Sequence, residues 1–255
     1  MIHRTALVDP SAQLAADVAV GPYAIIGPRV TVGEGCTIAA HAVLERDVRL
    51  GAGVRVGYGS IIGGEPQDLK YKGEETWVEV GDGTVIRDYC TINRGTPATG
   101  RTTVGQRCFI MTYVHIAHDC VIGNDVILAN GIQMAGHVSV DDRAIISGLT
   151  PIHQFVRIGT FAFVGGASRV NQDVPPYTKA VGNPIRLYGL NSVGLHRAGF
   201  SAEAKLAIKR AYRLLFNSDL TVTQGIARAR RELPAVPEVE TFLRFIEASQ
   251  RGVLV

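Results

Sequence analysis

Four of the seven histidines in this 255-residue chain, His115, His118, His137 and His153, fall close together in the sequence. A histidine side chain titrates near neutral pH and therefore suits general-base catalysis. Asp119 directly follows His118, and an adjacent carboxylate can orient an imidazole ring. The sequence therefore predicts that His118 is a general base and that Asp119 orients it.

A six-residue repeat surrounds these histidines. From Val104 to Val170 an aliphatic residue stands at every sixth position without a break. These positions are Val104, Ile110, Ile116, Ile122, Leu128, Met134, Val140, Ile146, Ile152, Ile158, Val164 and Val170. The same repeat runs from Ile2 to Ile62 and is found again at Val80, Ile86 and Ile92. A unit this short fits one strand and one turn of a parallel β-helix, in which three units form a triangular coil of about 18 residues.

Stacking of successive coils predicts which polar groups meet. Gly136 lies one coil after His118 and Gln154 lies two coils after it, whereas His137 stacks on Asp119. The backbone N–H of Gly136 would then be able to stabilise an oxyanion beside the base.

The histidine cluster as a whole is expected on one edge of three successive coils. We expect His153 to follow Ile152 on the same face, and His115 to sit at the corner that leads into it. The groups predicted to converge are His115, His118, His137, His153 and Gln154.

Two segments interrupt the repeat, Gly63 to Glu79 and Arg94 to Thr103. Loops that leave a rigid scaffold are either tolerated insertions or functional segments. The first contains Gln67, Asp68 and Lys70, which we expect to be functional, whereas the second gives no such indication.

The repeat stops at residue 176, which predicts a β-helix over 1–176 and a small α-helical domain over 177–255. Ser201 is a predicted N-cap of a helix that runs to about Asn217. Thr221 and Gln224 form a capping-box pattern, and Pro237 suits the first turn of a last helix.

Charge is distributed unevenly between these two parts. Residues 177–255 carry 12 Lys/Arg against 6 Asp/Glu, whereas the rest carries 14 against 17. A basic C-terminal region suits an acidic partner. We expect no nucleic-acid partner, because no recognition motif is present. We also expect a cytoplasmic protein without membrane insertion, since the sequence contains neither a long apolar run nor a signal-peptide pattern.

The four cysteines, Cys36, Cys90, Cys108 and Cys120, share one phase of the repeat with Ala and Val. This position is typical of small buried side chains, and no CxxC spacing is present. The cysteines therefore indicate neither a disulfide nor a metal site.

Several motifs resemble those of the acyl-carrier-protein-dependent UDP-N-acetylglucosamine O-acyltransferases of lipid A biosynthesis. They begin at His115 (HIAHDC), Gln67 (QDLKY), Ala135 (AGHVSV), Gln172 (QDVPPY) and Arg197 (RAGF). The resemblance covers essentially the whole chain and implies a left-handed β-helix and a homotrimer with active sites between subunits. It also implies that no metal or bound redox cofactor takes part, because the acyl group arrives on the phosphopantetheine of acyl carrier protein.

The resemblance assigns roles to individual residues. His118 would deprotonate the 3-hydroxyl of UDP-N-acetylglucosamine, Asp119 would orient His118, and the amide of Gly136 would hold the oxyanion. The residues expected to bind substrate are Gln67, Asp68, Lys70, His115, His137, His153, Gln154, Asn191 and Arg197. The basic helices would bind the acidic carrier protein.

Two positions bear on specificity within that family. Members often have a second basic residue after Arg197, whereas this chain has Ala198, which affects diphosphate binding. Gly166 corresponds to the position that sets acyl-chain length. Its missing side chain implies a long chain of about fourteen carbons, where each buried methylene contributes about 0.8 kcal/mol.

Two other functions stay open on the sequence. A zinc hydratase similar to the gamma-class carbonic anhydrases would use His115 and His118, although no third ligand has a convincing position. A β-helix that only binds a partner would not need polar groups gathered on one edge. The sequence also leaves open whether the acceptor is a sugar hydroxyl or the nitrogen of an amino sugar.

Overall fold

The computed structural model describes residues 1–255 and shows a three-sided parallel β-helix followed by four helices. Within the β-helix, successive strands of each sheet pair in parallel, one coil apart. His115 pairs with Gln133, for example, and Ile127 pairs with Ile145. The predicted triangular coil is therefore confirmed.

The three sheets are named here by the order in which the chain enters them. The first sheet contains β1 (Leu7–Val8), β4 (Ile25–Ile26), β7 (Val43–Leu44), β10 (Ile61–Gly64), β13 (Thr91–Asn93), β16 (His115–Ile116), β19 (Gln133–Met134) and β22 (Pro151–Ile152). The second sheet contains β2 (Gln13–Leu14), β5 (Thr31–Val32), β8 (Val48–Leu50), β11 (Trp77–Val80), β14 (Arg101–Val104), β17 (Val121–Ile122), β20 (Ser139–Val140) and β23 (Arg157–Ile158). The third sheet contains β3 (Ala19–Val20), β6 (Thr37–Ile38), β9 (Arg55–Val56), β12 (Val85–Ile86), β15 (Phe109–Ile110), β18 (Ile127–Leu128), β21 (Ile145–Ile146), β24 (Phe163–Val164), β25 (Thr178–Gly182) and β26 (Ile185–Leu190).

The aliphatic residue of each repeat points into the prism. Ile110, Ile116 and Ile122 are at most 2% exposed and belong to one continuous core. Burying such a side chain contributes about 1.5–3 kcal/mol, so the stacked repeats fix the register of every coil. All four cysteines are buried, as their position in the repeat predicted.

The corners of the prism place special demands on the backbone. A Cβ on Gly27 would lie 1.6 Å from the carbonyl oxygen of Glu45 on the next coil, so only glycine allows that approach. Asp119 and His137 occupy another corner with φ of 61° and 60°, in the left-handed region. The corner backbone therefore helps to fix where these two side chains point.

Both insertions are shorter than the sequence predicted. Gly63 and Gly64 belong to β10 and Trp77 begins β11, so the first insertion comprises residues 65–76 rather than 63–79. The second comprises residues 94–100, because β14 already begins at Arg101. In both cases the hydrogen-bonded strand extends into residues that break the six-residue pattern. Both insertions leave the edge between the first and second sheets.

The third sheet continues beyond residue 176. β25 pairs in parallel with β24, and β26 returns antiparallel to β25, before the helices begin at Ser192. The helices are α1 (Ser192–Arg197), α2 (Ala202–Phe216), α3 (Val222–Glu232) and α4 (Pro237–Glu247). The predicted cap at Ser201 and the capping box of Thr221 and Gln224 are confirmed, whereas α1 was not predicted. No helix is both long enough and apolar enough to cross a membrane.

Candidate active site

His118 and Asp119 form a hydrogen-bonded pair at the edge between the first and second sheets. Nδ1 of His118 lies 2.7 Å from Oδ2 of Asp119. The His118 side chain is 12% exposed and that of Asp119 is fully buried. Because Nδ1 faces the carboxylate, Nε2 is the ring nitrogen left to take a proton from another molecule.

Asp119 is also bound by the second insertion. Its Oδ1 accepts from the N–H of Thr96 and from the hydroxyl of Thr99, and its Oδ2 accepts from the hydroxyl of Thr96. Burial alone would raise the pKa of Asp119, but these bonds and the one from His118 bring the pKa below its usual value. Asp119 is therefore ionised at neutral pH.

Gly136 lies directly against His118, as the stacking of coils predicted. A Cβ at Gly136 would lie 2.5 Å from Cε1 and 2.7 Å from Nε2 of the His118 ring. The N–H of Gly136 donates to no group of the chain. A free amide N–H beside the imidazole is able to stabilise negative charge that develops there.

His137 completes the inner part of the cluster. Its Nε2 lies 3.5 Å from Oδ2 of Asp119, and its ring meets that of His118 edge-on with centroids 5.2 Å apart. The ring of His137 also stacks on that of Phe155, with centroids 4.5 Å apart. Phe155 therefore holds a polar ring in place.

The sequence predicted His115 at a corner, but the structure places it beside this edge, within a strand. It is the first residue of β16, because the hydrogen-bonded strand includes the residue before the inward-pointing Ile116. Its Nδ1 lies 2.7 Å from the hydroxyl of Thr91. Burial, and secondarily the nearby His118, lower the pKa of His115, so the ring is neutral at pH 7.

The remaining predicted residues of this edge are more exposed. His153 and Gln154 follow β22 and face solvent, with Nδ1 of His153 3.2 Å from the Gln154 carbonyl oxygen. Gln67, Asp68 and Lys70 lie in the first insertion, where Oδ1 of Asp68 accepts from the N–H of Lys70. All five belong to the same edge as His118, although none of their side chains forms a hydrogen bond with it.

Asn191 and Arg197 lie on a different part of the surface. They line a cavity of about 500 Å³ over the third sheet, together with Phe161, Lys179 and Ala198. Asn191 is the N-cap of α1, where its Oδ1 accepts from the N–H of Gly194. Within one chain, the third sheet separates this cavity from the His118 edge.

Gly166 also lies away from His118. It is an exposed turn residue between β24 and Val170, at the edge between the third and first sheets. A Cβ added there would be 3.3 Å from the carbonyl oxygen of Gly148. Gly166 is therefore a surface position of the prism.

Metal binding is the alternative function of this histidine cluster. Atoms of His118, Asp119 and His137 that could bind a metal lie within 4.8 Å of one another. This set keeps His118 but contains Asp119 and His137 in place of the predicted His115. However, Nδ1 of His118 and Oδ2 of Asp119 are only 2.7 Å apart, whereas two ligands of one zinc ion are roughly 3.3 Å apart. The geometry therefore favours a hydrogen-bonded pair over a metal centre.

Sequence reasoning missed the threonines that contact this pair. The second insertion was left without a role, yet Thr96 and Thr99 bind Asp119, and the N–H of Asp119 donates to the hydroxyl of Thr102. One signal was available, since this insertion ends one coil before Asp119 and is rich in threonine.

Comparison with protein families gives two matches. Residues 173–254 match the family described as Udp N-acetylglucosamine O-acyltransferase, Domain 2, and residues 101–131 match the bacterial transferase hexapeptide repeats. Among curated relatives, the acyl-(acyl-carrier-protein)–UDP-N-acetylglucosamine O-acyltransferase of Alkalilimnicola ehrlichii is 53% identical over 254 residues, covering 99% of this chain and 98% of the relative. The enzyme of the same name from Thiobacillus denitrificans is 51% identical with the same coverage.

Solved structures agree with the sequence relatives. LpxA from Acinetobacter baumannii superposes with a TM-score of 0.97 at 42% identity, covering 100% of this chain and 99% of that one. LpxA from Bacteroides fragilis gives a TM-score of 0.98 at 41% identity with both chains fully covered. The fold is thus the predicted left-handed β-helix with a helical C-terminal region. By sequence and by structure, the chain belongs to the acyl-(acyl-carrier-protein)–UDP-N-acetylglucosamine O-acyltransferase family.

Proposed function

We propose that this enzyme transfers a 3-hydroxyacyl chain from acyl carrier protein to the 3-hydroxyl of UDP-N-acetylglucosamine, the first step of lipid A biosynthesis in the cytoplasm. The names of its relatives support the two substrates. The observation that carries the mechanism is the His118–Asp119 pair beside the free amide of Gly136.

The reaction follows from this geometry. Nε2 of His118 takes the proton of the acceptor hydroxyl as its oxygen attacks the thioester carbonyl. The N–H of Gly136 donates to the oxyanion of the tetrahedral intermediate. The intermediate then expels the phosphopantetheine thiolate, which receives the proton from His118. Asp119 stabilises the imidazolium that exists between these two steps.

The proposal needs no metal and no bound cofactor. The acyl group arrives already activated as a thioester, and both carboxylate oxygens of Asp119 already accept two hydrogen bonds each. A zinc ion would have to displace some of these donors.

A homotrimer with the site between subunits accounts for the scattered candidates. Asn191 and Arg197 lie on the third sheet, and Gly166 lies at a second edge, so none of them reaches His118 in the same chain. If the His118 edge of one subunit faces the third sheet of its neighbour, these residues complete a single cleft. Arg197 and Asn191 would then bind the sugar nucleotide, without a second basic residue at Ala198.

The other polar residues of the His118 edge would surround the acceptor and the acyl chain. Asp68 and Lys70 with Gln67 extend from the first insertion above His118, while His137, His153 and Gln154 lie on the coils below. The neutral His115 is suited to accept or donate a hydrogen bond to a sugar.

The helical region offers a basic surface for the carrier protein. On α2, the exposed Lys209, Arg210 and Arg213 make no ion pair, whereas Arg228 and Arg230 of α3 are paired with glutamates. An acidic protein would therefore be attracted to α2.

The test is acyl transfer from 3-hydroxyacyl carrier proteins of graded chain length to UDP-N-acetylglucosamine, after metal removal. We expect activity in the wild type and a loss of about 10²–10⁴-fold in His118→Ala. An acceptor with an amine in place of the 3-hydroxyl tests the alternative nucleophile. The proposal fails if no acyl transfer occurs, or if zinc alone restores activity.

A further inference from the structure

The second insertion, residues 94–100, makes three hydrogen bonds to one carboxylate, that of Asp119. The N–H of Thr96 lies 2.9 Å from Oδ1, and the Thr96 hydroxyl lies 2.8 Å from Oδ2. The Thr99 hydroxyl also donates to Oδ1. With the bond from His118, each carboxylate oxygen receives two donors.

The directions of these hydroxyl bonds can be assigned. Thr96 accepts from the N–H of Ala98 at 3.2 Å, so its own proton is free for Asp119. Thr99 has one proton and two acceptors in reach, Asp119 and the carbonyl oxygen of Arg101 at 2.9 Å. A carboxylate is the stronger acceptor, so the proton of Thr99 points to Asp119.

We propose that Thr96 and Thr99 are positioning residues for the general-base step, and that they fix the Asp119 carboxylate so that Oδ2 receives the Nδ1 proton of His118. This inference rests on the proposed function of His118. The threonines touch neither substrate and act only through Asp119. Both threonines belong to the second insertion, so this role gives that insertion a function.

Few titratable groups lie near Asp119. His118 and His137 are the titratable groups that face it. His115, on β16, lies near His118, and its pKa is lowered by burial and secondarily by His118. The adjacent Cys120 does not titrate, since burial raises the pKa of its thiol to about 12. Without a threonine hydroxyl, the carboxylate becomes more basic and holds the imidazolium proton more tightly. The pair would then take up its proton at higher pH, and the acidic limb of the activity profile would move with it.

The experiment compares Thr96→Val, Thr99→Val and the double variant with Thr96→Ser and Thr99→Ser. Valine keeps the shape of threonine and removes the hydroxyl, whereas serine keeps the hydroxyl. Thr103→Val is the matched control, because Thr103 lies on β14 and its hydroxyl makes no hydrogen bond in the chain. The measurement is kcat/KM for acyl transfer as a function of pH, with the thermal midpoint of each variant.

We expect the acidic limb to move to higher pH by about one unit in the double variant, with a fall in kcat of about tenfold. Thr96→Val should have the larger single effect, because Thr96 is buried and Thr99 is exposed. Both serine variants and Thr103→Val should keep the wild-type profile, and KM for UDP-N-acetylglucosamine should stay unchanged throughout.

An unchanged pH profile in the double variant would overturn the positioning role, as would an equal change in Thr103→Val. His118→Ala and Asp119→Asn separate this outcome from failure of the proposed function. If both lose activity while the threonine variants match the wild type, only the inference about the threonines is wrong. If His118→Ala is fully active, the proposed function itself fails.

Discussion

The buried guanidinium of Arg94 donates a hydrogen bond to the hydroxyl of Tyr71 at 3.2 Å, and so joins the two insertions of the β-helix. It also donates to the carbonyl of Gly63, and its side chain is only 1% exposed. Arg94 belongs to the second insertion and Tyr71 to the first, which carries Asp68 and Lys70. The two segments are therefore held as one unit next to His118.

Replacing Arg94 with methionine should loosen this unit. The carbonyl of Gly63 loses a buried donor, which costs about 1–3 kcal/mol, so we expect a lower free energy of unfolding and faster proteolysis within residues 65–76. Urea unfolding and limited proteolysis measure the two effects. Arg101→Met is the control, because Arg101 is more than half exposed and makes only a surface ion pair with Glu79. Equal stability in the two variants would contradict the prediction.

Gly136→Ala should remove activity without unfolding the protein. The three atoms nearest to the new Cβ would all belong to the His118 ring, the closest at 2.5 Å, so the ring must move while the coil stays intact. A displacement of about 1 Å at a catalytic group lowers the rate by about 10²-fold. Steady-state kinetics and the thermal midpoint check the result together. A fully active Gly136→Ala enzyme would rule out close contact between residue 136 and the base.

Substitution of Gly166 should shorten the preferred acyl chain. Each methylene that is no longer buried costs about 0.8 kcal/mol, or about fourfold in kcat/KM. We expect Gly166→Met to favour a chain several carbons shorter than the wild type does, and Gly166→Ala to lie between them. The measurement is kcat/KM with carrier proteins that bear chains of graded length. The same preference in all three proteins would show that Gly166 does not limit the acyl groove.

Basic residues of α2 should affect the carrier protein and no other substrate. We expect Lys209→Ala and Arg210→Ala to raise KM for acyl carrier protein, and to reduce its dependence on salt. KM for UDP-N-acetylglucosamine should not change. Arg228→Ala removes the same charge from α3, where Arg228 is paired with Glu232, and serves as the control. An equal increase of KM in Arg228→Ala would mean that net charge, and not the α2 surface, attracts the carrier protein.

How far the sequence predicted this site depends on what fixes each residue in space. His118 and Gly136 could be placed by counting, because the packed aliphatic core sets the period of the coils. The contact of Thr99 with Asp119 could not be predicted, because the path of an insertion is not fixed by that period. The position of Asn191 on the third sheet could not be predicted either, because it depends on β25 and β26, which follow no six-residue repeat.

Acidification should destabilise the fold through His115. Burial and the nearby His118 lower the pKa of His115 from its ordinary 6.5, so below that pH the unfolded chain binds more protons than the folded one. The contribution of His115 to the free energy of unfolding is therefore fully present above pH 6.5 and is lost as the pH falls. Urea unfolding between about pH 7.5 and 5 measures this loss. The His115→Gln variant cannot take up that proton and should show a smaller decrease over the same range. An identical decrease in the wild type and His115→Gln would assign the acid sensitivity to other groups.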